Sequence, residues 1–131
     1  MIGIDTKILV RHLTQDDPQQ SRRVERFFQA RSSDDPAFVS LVVVAEICWV
    51  ITKTYAFKHL QVIDAFQRLL RSDQIQFEET DFLTTLFFGP AIRGDIADHI
   101  IAHIATQSGC AKTVTFDQAA AQNIPGMELI A

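Results

Sequence analysis

The chain has few of the residues that announce a special class. It has two cysteines, Cys48 and Cys110, far apart and in no CxxC pair; they are expected to be reduced core thiols of a cytosolic protein. With only five glycines and four prolines there is no internal repeat, low-complexity tract or domain linker. GxSxG, the P-loop and GxGxxG are all missing, so serine-hydrolase, phosphate-cradle and dinucleotide readings lack their residues. Positive charge is not in excess. A net charge of −4 and a pI near 5.4 exclude a generally basic nucleic-acid coat. They leave nucleic acid itself open, because divalent cations can offset carboxylates gathered in one cleft. The longest apolar run, Leu41 to Ile51, is interrupted by Glu46 and is far below the roughly 20 residues that span a bilayer. The start lacks a basic leader region and meets Asp5 almost at once. A cytoplasmic protein without a membrane segment is expected.

What remains is 131 residues, 47% hydrophobic and 21% charged, enough for one globular domain over residues 1–131. Met1 to Ile4 reads as a short buried strand that delivers Asp5 to a sheet edge, followed by a short helix over Ile8 to Leu13. Asp17-Pro18 starts the next helix, as N-cap and first helical residue, with Val24, Phe27 and Phe28 as its buried stripe. Ala37 to Val39 is a second strand, and Ser40 caps a helix from Leu41 to about Tyr55 that is expected to be buried on most sides. Lys58 to Arg71 is amphipathic, with Leu60, Ile63, Phe66, Leu69 and Leu70 inward. Ile75 to Phe77 is a third strand. Asp81 to Phe88 is helical, with Phe82, Leu86 and Phe87 inward, and Gly89-Pro90 stops it. Gly94-Asp95 opens a helix with Ile96, Ile100, Ile101, Ile104 and Ala105 as apolar positions and Gly109 at its C-terminal cap. A strand over Lys112 to Phe116, a small helix over Gln118 to Gln122 and a last strand over Met127 to Ile130 complete the chain. The alternation predicts an α/β fold: a central, mostly parallel sheet of about five strands with helices on both faces.

The acids stand out against this frame. Asp5 and Asp117 each follow an apolar strand, where open α/β sheets bind ligands; starting a turn would explain either one equally well. Glu46 is the one charge between Leu41 and Ile51. On a buried helix it must be protonated, paired or facing a polar cavity, since an unpaired buried carboxylate costs several kcal/mol. Asp95 and Asp98 share a helix face and also fit an N-cap and N3 position. His99 and His103 have i, i+4 spacing but no HExxH context. They read as solvated or partly buried. The oxygen-rich, sulfur-free set of Asp5, Glu46, Asp98 and Asp117, with Asp95 as a further member, suits Mg²⁺ or Mn²⁺. Such ions assist in-line phosphoryl displacement.

Four blocks then carry a resemblance: Met1-Ile-Gly-Ile-Asp5-Thr6, Val39 through Glu46 to Val50, Asp95-Ile-Ala-Asp98-His-Ile-Ile-Ala, and Thr115-Phe-Asp117. Together they resemble the PIN domain over essentially the whole chain, and within it the VapC-type toxins of VapBC toxin–antitoxin modules. The resemblance implies a Mg²⁺/Mn²⁺-dependent endoribonuclease, with tRNA or rRNA as the expected substrate. It further implies restraint by a VapB-type antitoxin and a homodimer within the complex. It places Asp5 and Asp98 as metal ligands, Glu46 and Asp117 as further catalytic acids, Asp95 as a variable one, and Thr6 and Thr115 as hydroxyls that orient carboxylates. Lys7 stands where the family commonly has asparagine, and His99 where a small or apolar residue is usual. Substrate-binding residues are not identified; Arg11, Lys53 and Lys58 are candidates for the RNA backbone. A non-catalytic PIN-like module that binds RNA or protein and a metal phosphatase for small phosphoesters are the rival readings.

Overall fold

Short apolar strands and capped helices alternate along the chain, and the computed structural model shows how they pair; it describes residues 1–90 and 92–131. The chain forms two compact units, Met1–Gly89 and Pro90–Ala131.

The first unit contains β1 (Ile2–Gly3), α1 (Thr6–Thr14), α2 (Pro18–Gln29), β2 (Ala37–Val39), α3 (Leu41–Lys53), α4 (His59–Leu70), β3 (Ile75–Phe77) and α5 (Thr80–Phe88). Its sheet has the order β1-β2-β3, all parallel. Parallel neighbours need a crossover, and each crossover here is a helix pair. The second unit contains α6 (Ile96–Gln107), β4 (Thr113–Thr115), α7 (Gln118–Asn123) and β5 (Met127–Leu129), with β4 and β5 parallel. The α/β class, five strands, parallel pairing and flanking helices agree with the sequence expectation, the strands being divided three and two between the sheets.

Local chemistry sets the element boundaries. The Asp17 carboxylate accepts from the Gln20 amide, with Pro18 at the first helical position, and the Ser40 hydroxyl accepts from the Val43 amide. Each satisfies an amide that the helix itself cannot pair. Gly109 has φ +94°. Its N–H donates to the Thr106 carbonyl and that of Cys110 to Ala105, the paired bonds of a Schellman motif, whose left-handed residue favours glycine.

In the first unit Leu9, Val39, Val44, Ile47, Ile51, Phe66 and Leu83 are fully buried. The Phe66 ring stacks on Phe87 at 4.8 Å; burying such a side chain contributes about 1.5–3 kcal/mol. The second unit packs a smaller cluster of Ala102, Ala120, Ile124 and Met127.

Several faces differ from the expected ones. β1 is exposed, not buried, because it is the edge of the three-stranded sheet. α3 buries Leu41, Val44, Ile47, Cys48 and Ile51 but exposes Val42 (71%), Glu46, Trp49 (62%) and Lys53. These four recur at i, i+4, i+7 and i+11, so a run that reads as apolar all round has one buried face. Leu60 was expected inward but is 76% exposed. α4 buries Val62, Ala65, Phe66 and Leu69, an i, i+3, i+4, i+7 stripe that Leu60 lies opposite. α5 buries Leu83 and Phe87, leaving Phe82 and Leu86 half-buried, and α6 leaves Ile101 and Ile104 exposed. Cys48 is buried but Cys110 is exposed, and neither is in a disulfide. Among the described residues no helix is long and apolar enough to cross a membrane.

Candidate active site

Three of the candidate acids cap helices. Asp5, two residues beyond β1, accepts at Oδ1 from the amides of Lys7 (3.1 Å) and Ile8 (3.4 Å) at the start of α1. Asp117, two residues beyond β4, accepts at Oδ1 from the Ala120 amide at 3.0 Å, and its own N–H donates to Thr115 Oγ1 at 3.0 Å. Thr115 therefore fixes the backbone from which the Asp117 carboxylate projects. Asp95 accepts at Oδ1 from the Asp98 amide at 3.3 Å. Capping is thus real at all three, and it leaves a function open: each cap occupies Oδ1, while Oδ2 has no hydrogen-bond partner among the described residues. Thr6, expected to support Asp5, makes no side-chain hydrogen bond among the described residues.

Asp98 differs from the capping acids. It is half-buried on the first turn of α6 and has no ion pair or side-chain hydrogen bond among the described residues. Burial is the main reason its carboxyl is held above its ordinary value; the negative charges of Asp95 and Asp117 add to this, and His99 partly offsets it. The second unit therefore brings Asp95, Asp98 and Asp117 within electrostatic reach of one another. The His99 ring is engaged elsewhere, its Nε2 on the Arg93 carbonyl at 2.7 Å.

Glu46 is exposed on α3. The desolvation argument that singled it out does not apply, because it lies on the solvent stripe of that helix. Sequence reasoning missed Glu78, which follows β3 directly and accepts at Oε1 from the Leu41 amide at 2.8 Å. The signal was available: strand then acid is the pattern that marked Asp5 and Asp117. The carboxyl edge of the first unit's sheet thus carries Asp5 after β1, Ser40 after β2 and Glu78 after β3. Arg11, a candidate phosphate contact, is held in a network instead. Its Nε donates to Gln20 Oε1 (2.6 Å) and its Nη1 to Asp16 Oδ1 (3.0 Å) and the Tyr55 hydroxyl (3.1 Å). Lys53 and Lys58 are exposed.

The fit to a divalent ion has two sides. The carboxylates of Asp95 and Asp117 repel that of Asp98, and among the described residues none of the three has an ion pair; such hard oxygen donors suit Mg²⁺ or Mn²⁺, which would relieve that charge. They do not form a ready-made ligand set, however. Among the described residues no group of three or more His, Cys, Asp or Glu side chains is placed to hold a metal ion.

Asp5, Glu78 and Asp117 thus follow the carboxyl ends of parallel strands, where open α/β sheets bind ligands. The family follows from the sequence match: the chain belongs to the PIN-domain family, whose model matches residues 2–124 and so runs through both units. Membership supports a nuclease-type function in general. Comparison with curated proteins and with solved structures finds no match.

Proposed function

We propose that the chain is a Mg²⁺/Mn²⁺-dependent endoribonuclease of the VapC type, a toxin that hydrolyses phosphodiester bonds of tRNA or rRNA. The observation that carries this reading is Asp98: a half-buried carboxyl set against Asp95 and Asp117 in a PIN-domain chain. Asp5 and Asp98 are assigned as the main metal ligands, with Asp95, Glu46 and Asp117 as further ones. A divalent ion, when bound, supplies Lewis-acid stabilisation of the charge that develops on the phosphate. The free Oδ2 of Asp117 is suited to accept a proton from the attacking water, with Thr115 holding its backbone. Glu46, exposed on α3, is assigned to orient water.

A VapB-type antitoxin, and a homodimer within the complex, belong to the same proposal. What supports a protein partner is a hollow of about 760 Å³ in the first unit, lined by His12, Phe28, Phe57, Leu60, Asp64 and Arg68 among others. With Leu60 exposed on its wall, the hollow offers an apolar anchor ringed by charge.

The test is cleavage of cellular RNA with Mg²⁺ or Mn²⁺ by wild type, Asp5→Asn and Asp98→Asn. Metal-dependent cleavage lost in both variants is expected. Equal, metal-independent cleavage by both variants would sink the assignment. Tight RNA binding without turnover would favour the non-catalytic module, and turnover of p-nitrophenyl phosphate alone would favour the phosphatase.

A further inference from the structure

Six of the twelve lysines and arginines of this acidic chain, Lys7, Arg11, Arg22, Arg23, Arg26 and Arg31, lie within its first 31 residues. Three of them meet at one place. A hollow of about 430 Å³ runs between α1 and α2, lined by Asp5, Lys7, Ile8 and Arg11 from one side and Gln20, Arg23, Val24 and Phe27 from the other. The second group is an i, i+3, i+4, i+7 face of α2, so one helical stripe passes from polar contacts (Gln20, Arg23) to apolar ones (Val24, Phe27) along the hollow.

The three cations are not equivalent. Arg11 is bound through Gln20, Asp16 and Tyr55, which braces the wall of the hollow. Lys7 and Arg23 are exposed, and neither side chain has an ion pair or hydrogen bond among the described residues. Two cations without a carboxylate partner, beside an apolar floor of Ile8, Val24 and Phe27, match an anion that carries a flat apolar group. The volume lies within the range of about 300–1,000 Å³ usual for small-ligand sites. The Phe27 ring is half-buried and braced by the Arg31 guanidinium, 4.9 Å from its centroid. It is thereby held as a rigid surface, the kind on which an unstacked base lies.

Resting on the nuclease reading, we propose that this hollow seats a nucleotide of single-stranded RNA next to the bond that is cut, its phosphates on Lys7 and Arg23 and its base against Ile8 and Phe27. Asp5, one of the acids assigned to the reaction, lines the hollow itself. A duplex would not fit, because paired and stacked bases cannot reach the floor. The segment bound is therefore a loop, bulge or end of a folded RNA.

The experiment is fluorescence anisotropy of a labelled single-stranded RNA 12-mer with the full chain in EDTA, where metal-dependent cutting is blocked, over a salt series. Each lost phosphate contact removes about 0.7 from the slope of log affinity against log salt. Lys7→Ala/Arg23→Ala should flatten that slope by about 1.4 and weaken binding at 0.1 M salt roughly 25-fold. Lys112→Ala, which removes a cation already paired with Glu128, should leave the affinity within about twofold. Phe27→Leu should weaken RNA binding about fivefold or more yet leave binding of inorganic polyphosphate unchanged, which also shows that the variant is folded.

No binding by wild type, or an unchanged slope and affinity in the double variant, would overturn the proposal, even if wild type cuts RNA in Mg²⁺. Unchanged RNA affinity with loss of a bound partner protein would also overturn it, reassigning the hollow to that partner. The expected losses in a protein that never cuts RNA would uphold the binding site while the nuclease reading fails.

Discussion

The two units use one local device in opposite electrostatic surroundings. In each, an aspartate two residues beyond a parallel strand caps the following helix through Oδ1, and Oδ2 has no hydrogen-bond partner among the described residues. Around Asp5 in the first unit stand Lys7, Arg11 and Arg23. In the second, Asp117 stands near Asp98, which also has Asp95 beside it. The cap itself is therefore chemically neutral as a signal. What gives an acid its role is the charge that other elements bring to it. The hollow beside Asp5 is lined by three cations, whereas Asp98 has two further aspartates near it.

The comparison can be broken most forcefully at the reaction. Asp98→Asn and Asp5→Asn should each lower metal-dependent RNA cleavage by about 10²–10⁴-fold, and EDTA should abolish it until Mg²⁺ or Mn²⁺ is restored. If only one variant lost activity in a cleavage assay, the chemistry would belong to one unit alone.

The cores should differ next. Phe66 is fully buried and stacked on Phe87, so Phe66→Ala should cost about 3–5 kcal/mol in denaturant titration. Ile124 belongs to the smaller cluster with two alanines, and Ile124→Ala should cost about 2–4 kcal/mol. A larger loss at Ile124 would reverse the ranking of the two cores.

A third prediction separates the units by pH. A carboxyl whose folded pKa is raised loses stability as pH rises from the unfolded value, 3.8, through the folded one, because the native state binds the proton more tightly. Asp98→Asn should therefore be more stable than wild type at pH 7, and the advantage should vanish below the unfolded value. Urea titrations at pH 7 and pH 3 that showed the same difference would contradict the origin given for the shift.

The smallest effect concerns the first unit, where the sign is opposite. The Tyr55 hydroxyl donates to Asp16 Oδ2 at 2.9 Å and is the largest cause of the lowered Asp16 value, with Thr14 and Arg11 adding to it. A lowered carboxyl contributes stability above its unfolded pKa that is lost as pH falls through the folded one. Tyr55→Phe should thus lose less stability than wild type on acidification from pH 5 to pH 2. An acid titration indistinguishable from wild type would mean that the network adds nothing.

Much of the fold is legible from residues that act locally. Asp17-Pro18, Ser40, Asp95 and Gly109 mark helix ends because their partners lie within four residues. The α/β class follows from strand and helix alternation. Which face each helix buries was less legible. In Leu41–Ile51 and Ile96–Ala105 apolar residues occupy nearly every direction, so the 3.6-residue period has no contrast and Val42, Trp49, Ile101 and Ile104 could not be placed outward. Glu46 was singled out on that mistaken burial, while Glu78 was passed over although its pattern matched that of Asp5.

The sequence by itself determined the element order, the helix caps, the parallel class and the acids that carry the family pattern, because short-range hydrogen bonding and periodicity are written in neighbouring residues. Only the tertiary structure decided that Glu46 and Trp49 are exposed, that Asp98 is half-buried against Asp95 and Asp117, and that Lys7 and Arg23 line one hollow with Phe27. Desolvation and charge coupling depend on distance in space, and residues 7 and 23 become neighbours only when α1 packs on α2.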